Sequence, residues 1–198
     1  MKSSLILLLA LMFNAFCSIE AQNVNENIEK GFVEMQSAIM NKDFKKSVEY
    51  IADELFKVIP KDQLISVLEL TFNNPQMEIE LSLPENISIS IPMKEGGKYY
   101  SILSFPSIQK IRLLDPNGLP LSKDDEKVIS MRSAFESVAG ADNVTFDDES
   151  MFFTVIIDQK AVAISENGKD GWKYMNFDKS QATLFEQLLP KTVIEKLQ

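Results

Sequence analysis

The stretch MEIELSLPENISISI, residues 77–91, is where the apolar periodicity of the chain changes, and this change decides the fold class. Its apolar side chains alternate with glutamate and serine on both sides of Pro84-Glu85. A period of two residues is typical of strands that have one buried and one solvent-exposed face. We therefore predict two strands here, preceded by a region with a different period.

Three helices are predicted upstream of these strands. Apolar residues recur at intervals of three and four over residues 28–39 and again over residues 44–55, and Asn41-Lys42-Asp43 separates the two runs. This spacing places an apolar stripe along one side of each helix. A third helix is expected to begin near Pro60 and to end before Pro75, because proline suits a first helical turn and disfavours a helix immediately before it.

Downstream of residue 91 the pattern predicts more strands, an inserted helix over residues 123–139 and a C-terminal helix after Asp178. The expected strands cover residues 98–105, 107–114, 143–146, 151–157, 161–165 and 172–177. Asp158-Gln159-Lys160 is interpreted as a corner between two of them. The fold class is therefore α+β, with N-terminal helices packed on a curved antiparallel sheet. A single domain over residues 22–198 is the simplest organisation, and a split near residue 120 is the alternative.

Residues 1–21 have the composition of a secretory signal peptide. Lys2 precedes a leucine-rich apolar stretch, and the small residue Ala21 offers a cleavage site. We predict an exported protein, periplasmic or secreted. Anchoring as a lipoprotein through Cys17 is less favoured, because Phe16 stands where such processing sites carry a small residue. The apolar stretch is also too short to span a bilayer, which needs about 20 apolar residues.

Composition excludes several classes of function. The chain has 198 residues, 29 acidic and 20 basic side chains and no histidine, so imidazole-based triads and zinc sites are excluded. Its negative charge argues against a nucleic-acid groove. No glycine-rich phosphate loop or G-x-S-x-G motif occurs, and no cofactor is expected. The acidic loop around Asp147 matches no calcium-binding pattern, so no metal is expected either.

Three stretches carry a resemblance to a known superfamily: the helical run 32–72 ending in Thr71-Phe72-Asn73-Asn74-Pro75, the strands that begin at Met77, and Gly171-Trp172-Lys173-Tyr174. Together they resemble the NTF2-like or cystatin-like α+β cone found in many exported bacterial proteins. The helix over residues 123–139 is an addition to that pattern. The resemblance implies a curved sheet over helices, with a pocket at the wide end of the cone. Proteins of this fold use the pocket for ligands, for catalysis or for pairing with another chain, so the fold alone selects none of these.

Four aromatic residues are the candidate ligand-binding residues of this pocket: Tyr99, Tyr100, Trp172 and Tyr174. Because Tyr99 and Tyr100 are adjacent on a strand, they must face opposite sides of the sheet. The leading hypothesis is a non-catalytic domain that binds a small apolar ligand or a protein partner. The alternative is a cofactor-free isomerase or lyase that uses a tyrosine hydroxyl and a carboxylate. A homodimer joined through an open sheet face is a third hypothesis.

Overall fold

The computed structural model describes residues 23–198, which form an α+β fold. The predicted signal peptide and Cys17 lie outside the described residues. Six helices are present in the described part: α1 (residues 23–40), α2 (Phe44–Ser47), α3 (Lys61–Phe72), α4 (Glu126–Ala139), α5 (Ala182–Leu188) and α6 (Lys191–Leu197). Within residues 23–198, none of the helices has the length and apolar content that crossing a membrane requires. The predicted fold class, with N-terminal helices, an inserted helix and C-terminal helices, is confirmed.

One open antiparallel sheet runs through the described residues. The seven strands it has within residues 23–198 are β1 (Met77–Leu81), β2 (Ser88–Ile89), β3 (Met93–Glu95), β4 (Lys98–Leu113), β5 (Val144–Phe146), β6 (Phe153–Ser165) and β7 (Lys173–Phe177). The long strands β4 and β6 are central. β1, β2 and β3 pair with the outer edge of β4, whereas β5 and β7 pair with the outer edge of β6.

The two central strands are each longer than the sequence predicts. β4 and β6 pair without interruption over thirteen residues, from Tyr99 with Ser165 to Ile111 with Phe153. The predicted corner at Asp158-Gln159-Lys160 is therefore wrong. These polar residues are typical of a turn, but the continuous ladder with β4 keeps them extended.

The sheet has two ends with different coverage. At what we call the three-layer end, β2, β3, β7 and the adjoining halves of β4 and β6 are covered by α1 on one face and by α5 and α6 on the other. At the two-layer end, β1, β5 and the remaining halves of β4 and β6 carry α4 on one face only. Within residues 23–198, no helix covers the opposite face of the two-layer end.

Side-chain alternation along β4 creates the two cores of the three-layer end. Tyr100 and Ile102 lie in the cluster with α5 and α6. Leu103 and Phe105 lie in the cluster with α1, where they contact side chains such as Phe32. Successive residues of a strand point to opposite faces, so a single strand contributes to both cores.

The inserted helix α4 supplies the cover of the two-layer end. The Asp125 side chain accepts a hydrogen bond from the Lys127 backbone N–H, and the helix ends before Gly140, which has a positive φ. Val128 is buried against Phe153 and Val155 of β6. The helix therefore begins at Glu126, three residues after the start predicted from the sequence.

The predicted helix over residues 44–55 is shorter in the structure. α2 ends at Ser47, and the chain continues through a 3-10 turn, Val48–Tyr50, to Ile51. The Ala52 N–H then donates to the Tyr174 carbonyl at 2.9 Å, so this segment lies along the outer edge of β7. Hydrogen bonding to the sheet edge takes the place of the helical bonds that the apolar spacing alone would favour.

Between the two ends the sheet narrows to two strands. Residues 105–108 of β4 face a gap between β2 and β1, and their ladder partners, residues 156–159 of β6, face a gap between β5 and β7. We call these four pairs the waist. Over this length each strand has only the other as its ladder partner among residues 23–198.

Candidate functional site

The four predicted binding residues lie on both faces of the sheet. Tyr99, Trp172 and Tyr174 belong to the cluster beside α1. Tyr100 is buried on the other face, in the cluster beneath α5 and α6. The predicted opposite orientation of Tyr99 and Tyr100 is confirmed, and the structure does not bring all four residues into one pocket.

Tyr174 is a structural tie between β7 and α1. Its side chain is fully buried, and its hydroxyl donates to the Ile28 carbonyl at 2.7 Å. Burial raises the pKa of Tyr174, and the nearby Glu34 carboxylate adds to this increase. The helix can approach so closely because Gly31 has no side chain: a Cβ at that position would overlap the Tyr174 hydroxyl. The Tyr174 hydroxyl therefore already donates its proton to the backbone of α1 and does not offer it to a ligand.

Trp172 is nearly buried, with 5% of its surface exposed, and its indole N–H has no hydrogen-bond partner among the described residues. It lines a small surface pocket of about 250 Å³ together with Tyr174, Tyr50 and Glu34. In this pocket the Tyr50 hydroxyl donates to the Glu34 carboxylate at 3.0 Å. Desolvation and this carboxylate raise the pKa of Tyr50. This pair combines a tyrosine hydroxyl with a carboxylate, which is the combination that the isomerase or lyase hypothesis requires.

Tyr99 and Tyr100 both pack against neighbouring parts of the fold. The Tyr99 ring packs on Gly168, and the Lys94 ammonium lies 5.2 Å from the centre of the ring. Burial raises the pKa of Tyr100, and the Glu54 carboxylate contributes to the same effect. Neither hydroxyl makes a side-chain hydrogen bond within residues 23–198.

A partly exposed cluster of one lysine and two glutamates lies near Tyr100. The Lys98 ammonium is 2.8 Å from the carboxylate of Glu54 and 2.8 Å from that of Glu166. Its hydrogen bonds to Glu166 and Glu54 raise the pKa of Lys98. Glu54 is almost fully buried, so its pair with Lys98 joins the segment after α2 to the start of β4. Because all three charges are paired, this cluster is structural.

A large groove lies at the waist, and none of the four predicted residues lines it. It has a volume of about 1030 Å³. Its lining residues come from both faces of the sheet, so the cavity lies over the open edge of β6. We call it the waist groove; its lining residues include Phe105, Val138, Ile157, Asp158, Phe177 and Leu197.

The two edges of the waist differ in their backbone chemistry. The N–H and C=O of Ile102 bond to Ser90 of the β2 segment, and the Ile108 C=O accepts from Ser82, so even-numbered residues of β4 present these groups to the outer edge. Pro106 therefore faces its gap without an N–H donor. Its ladder partner Asp158 presents both an N–H and a C=O to the opposite gap, which opens into the waist groove.

The walls of the waist groove combine apolar and charged side chains. Val138, near the end of α4, is 73% exposed and flanks the gap on one sheet face. Leu197, Phe177 and Lys160 line the groove on the other face. The Lys160 ammonium donates to the carbonyls of Lys196 and Leu197 at 3.2 and 3.0 Å, so it caps α6. Asp158 has no such salt-bridge or side-chain partner within the described residues.

Sequence reasoning missed this groove because it placed a turn at Asp158. One signal was present in the sequence. Apolar residues keep the same parity from Phe153 through Val155 and Ile157 to Ala161 and Ala163, which is the pattern of one uninterrupted strand face. Counting this parity across the polar triplet would have predicted β6 as a single strand and Asp158 as a strand residue.

The acidic loop after β5 shows no arrangement suited to a metal ion. Across residues 23–198, no group of three or more acidic or cysteine side chains is placed to hold one. The Asp147 side chain instead accepts backbone hydrogen bonds from Glu149 and Ser150. These bonds lower the pKa of Asp147. Its role is to close the loop between β5 and β6.

Comparison with known proteins adds no family to this description. No family model matches the chain, and a search of curated proteins finds no match. The cone resemblance therefore stays a prediction, and the geometry of the waist groove carries the functional argument.

Proposed function

We propose that the protein is a non-catalytic binding module whose waist groove holds a segment of a partner protein. One observation carries this proposal: the waist groove lies over an open sheet edge, where the N–H and C=O of Asp158 have no strand partner among residues 23–198. A polypeptide can satisfy such groups, whereas a small apolar ligand cannot. Export of the protein, predicted from residues 1–21, and a cone-like fold of the NTF2 kind belong to the same proposal.

The composition of the groove favours a polypeptide over a small apolar ligand. Pockets for small ligands are enclosed and mostly apolar, with few polar groups. The waist groove opens to solvent on both sheet faces and has charged residues beside its apolar walls, among them Asp158, Lys160 and Asp178. Mixed apolar and charged surroundings are typical of surfaces that bind protein segments.

Selection of short random peptides displayed on phage would test the proposal, with the immobilised full chain as bait. We expect selected peptides to lose binding when Val138→Glu introduces a charge into the groove wall. Val67→Glu is the matched control, because Val67 is also an exposed valine on a helix, 50% exposed, and lies outside the groove. Peptides that bind both variants equally well, or a selection without binders, would contradict the proposal.

A cofactor-free isomerase or lyase is the second candidate function. The Tyr50 and Glu34 pair favours it, because a hydroxyl and a carboxylate lie within hydrogen-bond distance beside a pocket. Glu34→Gln would leave the pocket shape intact and remove the base. If the full chain turned over a proton-transfer substrate and Glu34→Gln abolished this turnover, catalysis would be favoured over the binding module.

A further inference from the structure

We propose that the partner segment binds as an extended strand that pairs with the backbone of Asp158 in the gap between β5 and β7. This inference rests on the proposed function and specifies the conformation of the partner. It depends on the backbone at the gap, on the recessed position of the edge and on the free space beside it.

The backbone at the gap provides the recognition chemistry. β5 pairs with β6 only as far as Val155, and β7 begins to pair at Lys160. Asp158 lies between these limits, and alternation along β6 turns its N–H and C=O away from β4. An added strand forms hydrogen bonds of this kind with an exposed sheet edge. The gap spans four residues, or about 13 Å of extended chain.

The recessed position of this edge selects a slender segment over a second copy of the chain. β5 and β7 both extend beyond β6 by one strand spacing, which is about 4.8 Å. Two copies with equally recessed edges would meet through β5 and β7 before their β6 edges could pair. A single extended segment is narrow enough to enter the gap.

The elements around the gap define the path of such a segment. At the β5 side, α4 covers one face of the sheet; at the β7 side, α1 covers that same face, and α5 and α6 cover the other. A segment can therefore enter over the helix-free face beside Ile156 and continue to the opposite face in the space between α4 and α1. There a second cavity of about 280 Å³ shares Phe105, Gln159 and Asn176 with the waist groove. The two cavities provide room for side chains on both sides of the bound strand.

The opposite edge of the waist explains why the pairing is specific to Asp158. At Pro106 the corresponding N–H is absent, so that position offers only a carbonyl acceptor. Ser82 already donates to the Ile108 carbonyl there. The gap at Asp158 keeps both donor and acceptor, as strand addition requires.

A tethered peptide would test strand pairing in the full chain. We would append the pentapeptide TVKVT to Gln198 through a glycine-serine linker of about 12 residues, which spans about 20 Å on average. Leu197 lines the groove, so the tether holds the peptide near the gap at about millimolar effective concentration. We expect the Asp158 amide to exchange its proton with solvent about tenfold more slowly than in the chain without the peptide.

Two controls separate backbone pairing from other contacts. A TPPPT tether has the same length but lacks the N–H donors of its three central residues in either strand register, so it cannot form the ladder, and we expect it to leave the exchange of the Asp158 amide unchanged. Asp158→Ala removes the carboxylate and keeps the backbone, so protection by TVKVT should persist. Unchanged exchange with TVKVT, equal protection by both tethers, or loss of protection in Asp158→Ala would each overturn the inference.

The two experiments fail independently. Displayed peptides that bind in a Val138-dependent manner, together with an unprotected Asp158 amide, would leave the binding module in place and exclude strand pairing. Protection of Asp158 by TVKVT without any displayed binder would contradict the peptide-binding function while confirming that the edge accepts a strand.

Discussion

The two ends of the sheet use the same central strands but bury them differently. Ile164 and Ile156 both belong to β6 and face the same side of the sheet, yet Ile164 is 4% exposed beneath α5 and α6, whereas Ile156 is 38% exposed. Coverage by helices thus separates a core position from a surface position within one strand. The helices at each end therefore determine which residues of β4 and β6 are buried and contribute to stability.

The largest expected effect tests this difference directly. Ile164→Ala should reduce the free energy of unfolding by about 2–5 kcal/mol, because it removes buried apolar atoms and leaves a cavity. Ile156→Ala makes the same chemical change on the bare face and should cost less than about 1 kcal/mol. Urea denaturation of both variants provides the measurement. Equal losses would show that coverage does not distinguish the two ends.

An intermediate effect concerns the contact of α1 with β7 at the three-layer end. Alanine normally favours a helix interior over glycine, but Gly31→Ala would place a Cβ against the Tyr174 hydroxyl. We expect a loss of about 1–3 kcal/mol in the free energy of unfolding from overpacking.

The double-mutant cycle with Tyr174→Phe identifies the cause of that loss. In the Tyr174→Phe background the hydroxyl is absent, and Gly31→Ala should become neutral or stabilising. Chemical denaturation of the four proteins gives the coupling energy. A penalty of the same size in both backgrounds would assign the effect to the helix backbone and exclude the hydroxyl contact.

The smallest expected effect is a different pH dependence at the two ends. The pKa values of Tyr174, Tyr100 and Lys98 are raised at the three-layer end, so their contribution to stability is complete below about pH 10 and is lost as the pH rises through the folded-state values. The pKa values of Asp115 and Asp147 are lowered near the two-layer end. Their contribution is present above about pH 4 and is lost as the pH falls through the folded-state values.

Substitution of one group at each end separates the alkaline limb from the acid limb of the curve that relates the free energy of unfolding to pH. Tyr174→Phe should flatten the alkaline decline in the free energy of unfolding and leave the acid decline unchanged. Asp115→Asn should do the reverse, because it removes the titrating group from the turn that bonds Leu119 and Asn117. Urea denaturation at acid, neutral and alkaline pH would measure both effects. The idea fails if either variant flattens both limbs.

The sequence was sufficient to predict elements that depend on local periodicity and insufficient for those set by tertiary pairing. α1, α3 and α4 were predictable from apolar spacing, and β1 from alternation in the stretch after Gln76. The helix over residues 44–55 and the corner at Asp158 were wrong because distant strands determine these regions: β7 bonds Ala52, and β4 holds Asp158 extended. Where a segment pairs in a long ladder, this pairing determines its backbone conformation and overrides the local sequence preference.

The site was less predictable than the fold for a related reason. Aromatic residues such as Trp172 and Tyr174 are conspicuous in a sequence, but here they fill the core beside α1. The waist groove depends on where β5 and β7 stop pairing, and no residue type marks those ends. A cavity made by the absence of a strand has no local sequence signature.

The order in which β4 and β6 meet has a consequence for folding kinetics. Their paired residues are closest in sequence at Ile111 with Phe153 and most distant at Tyr99 with Ser165. Closing a shorter loop costs less conformational entropy, so we expect pairing to nucleate at the two-layer end, next to α4, and to advance through the waist. The less covered end would then be the template on which the better covered end assembles.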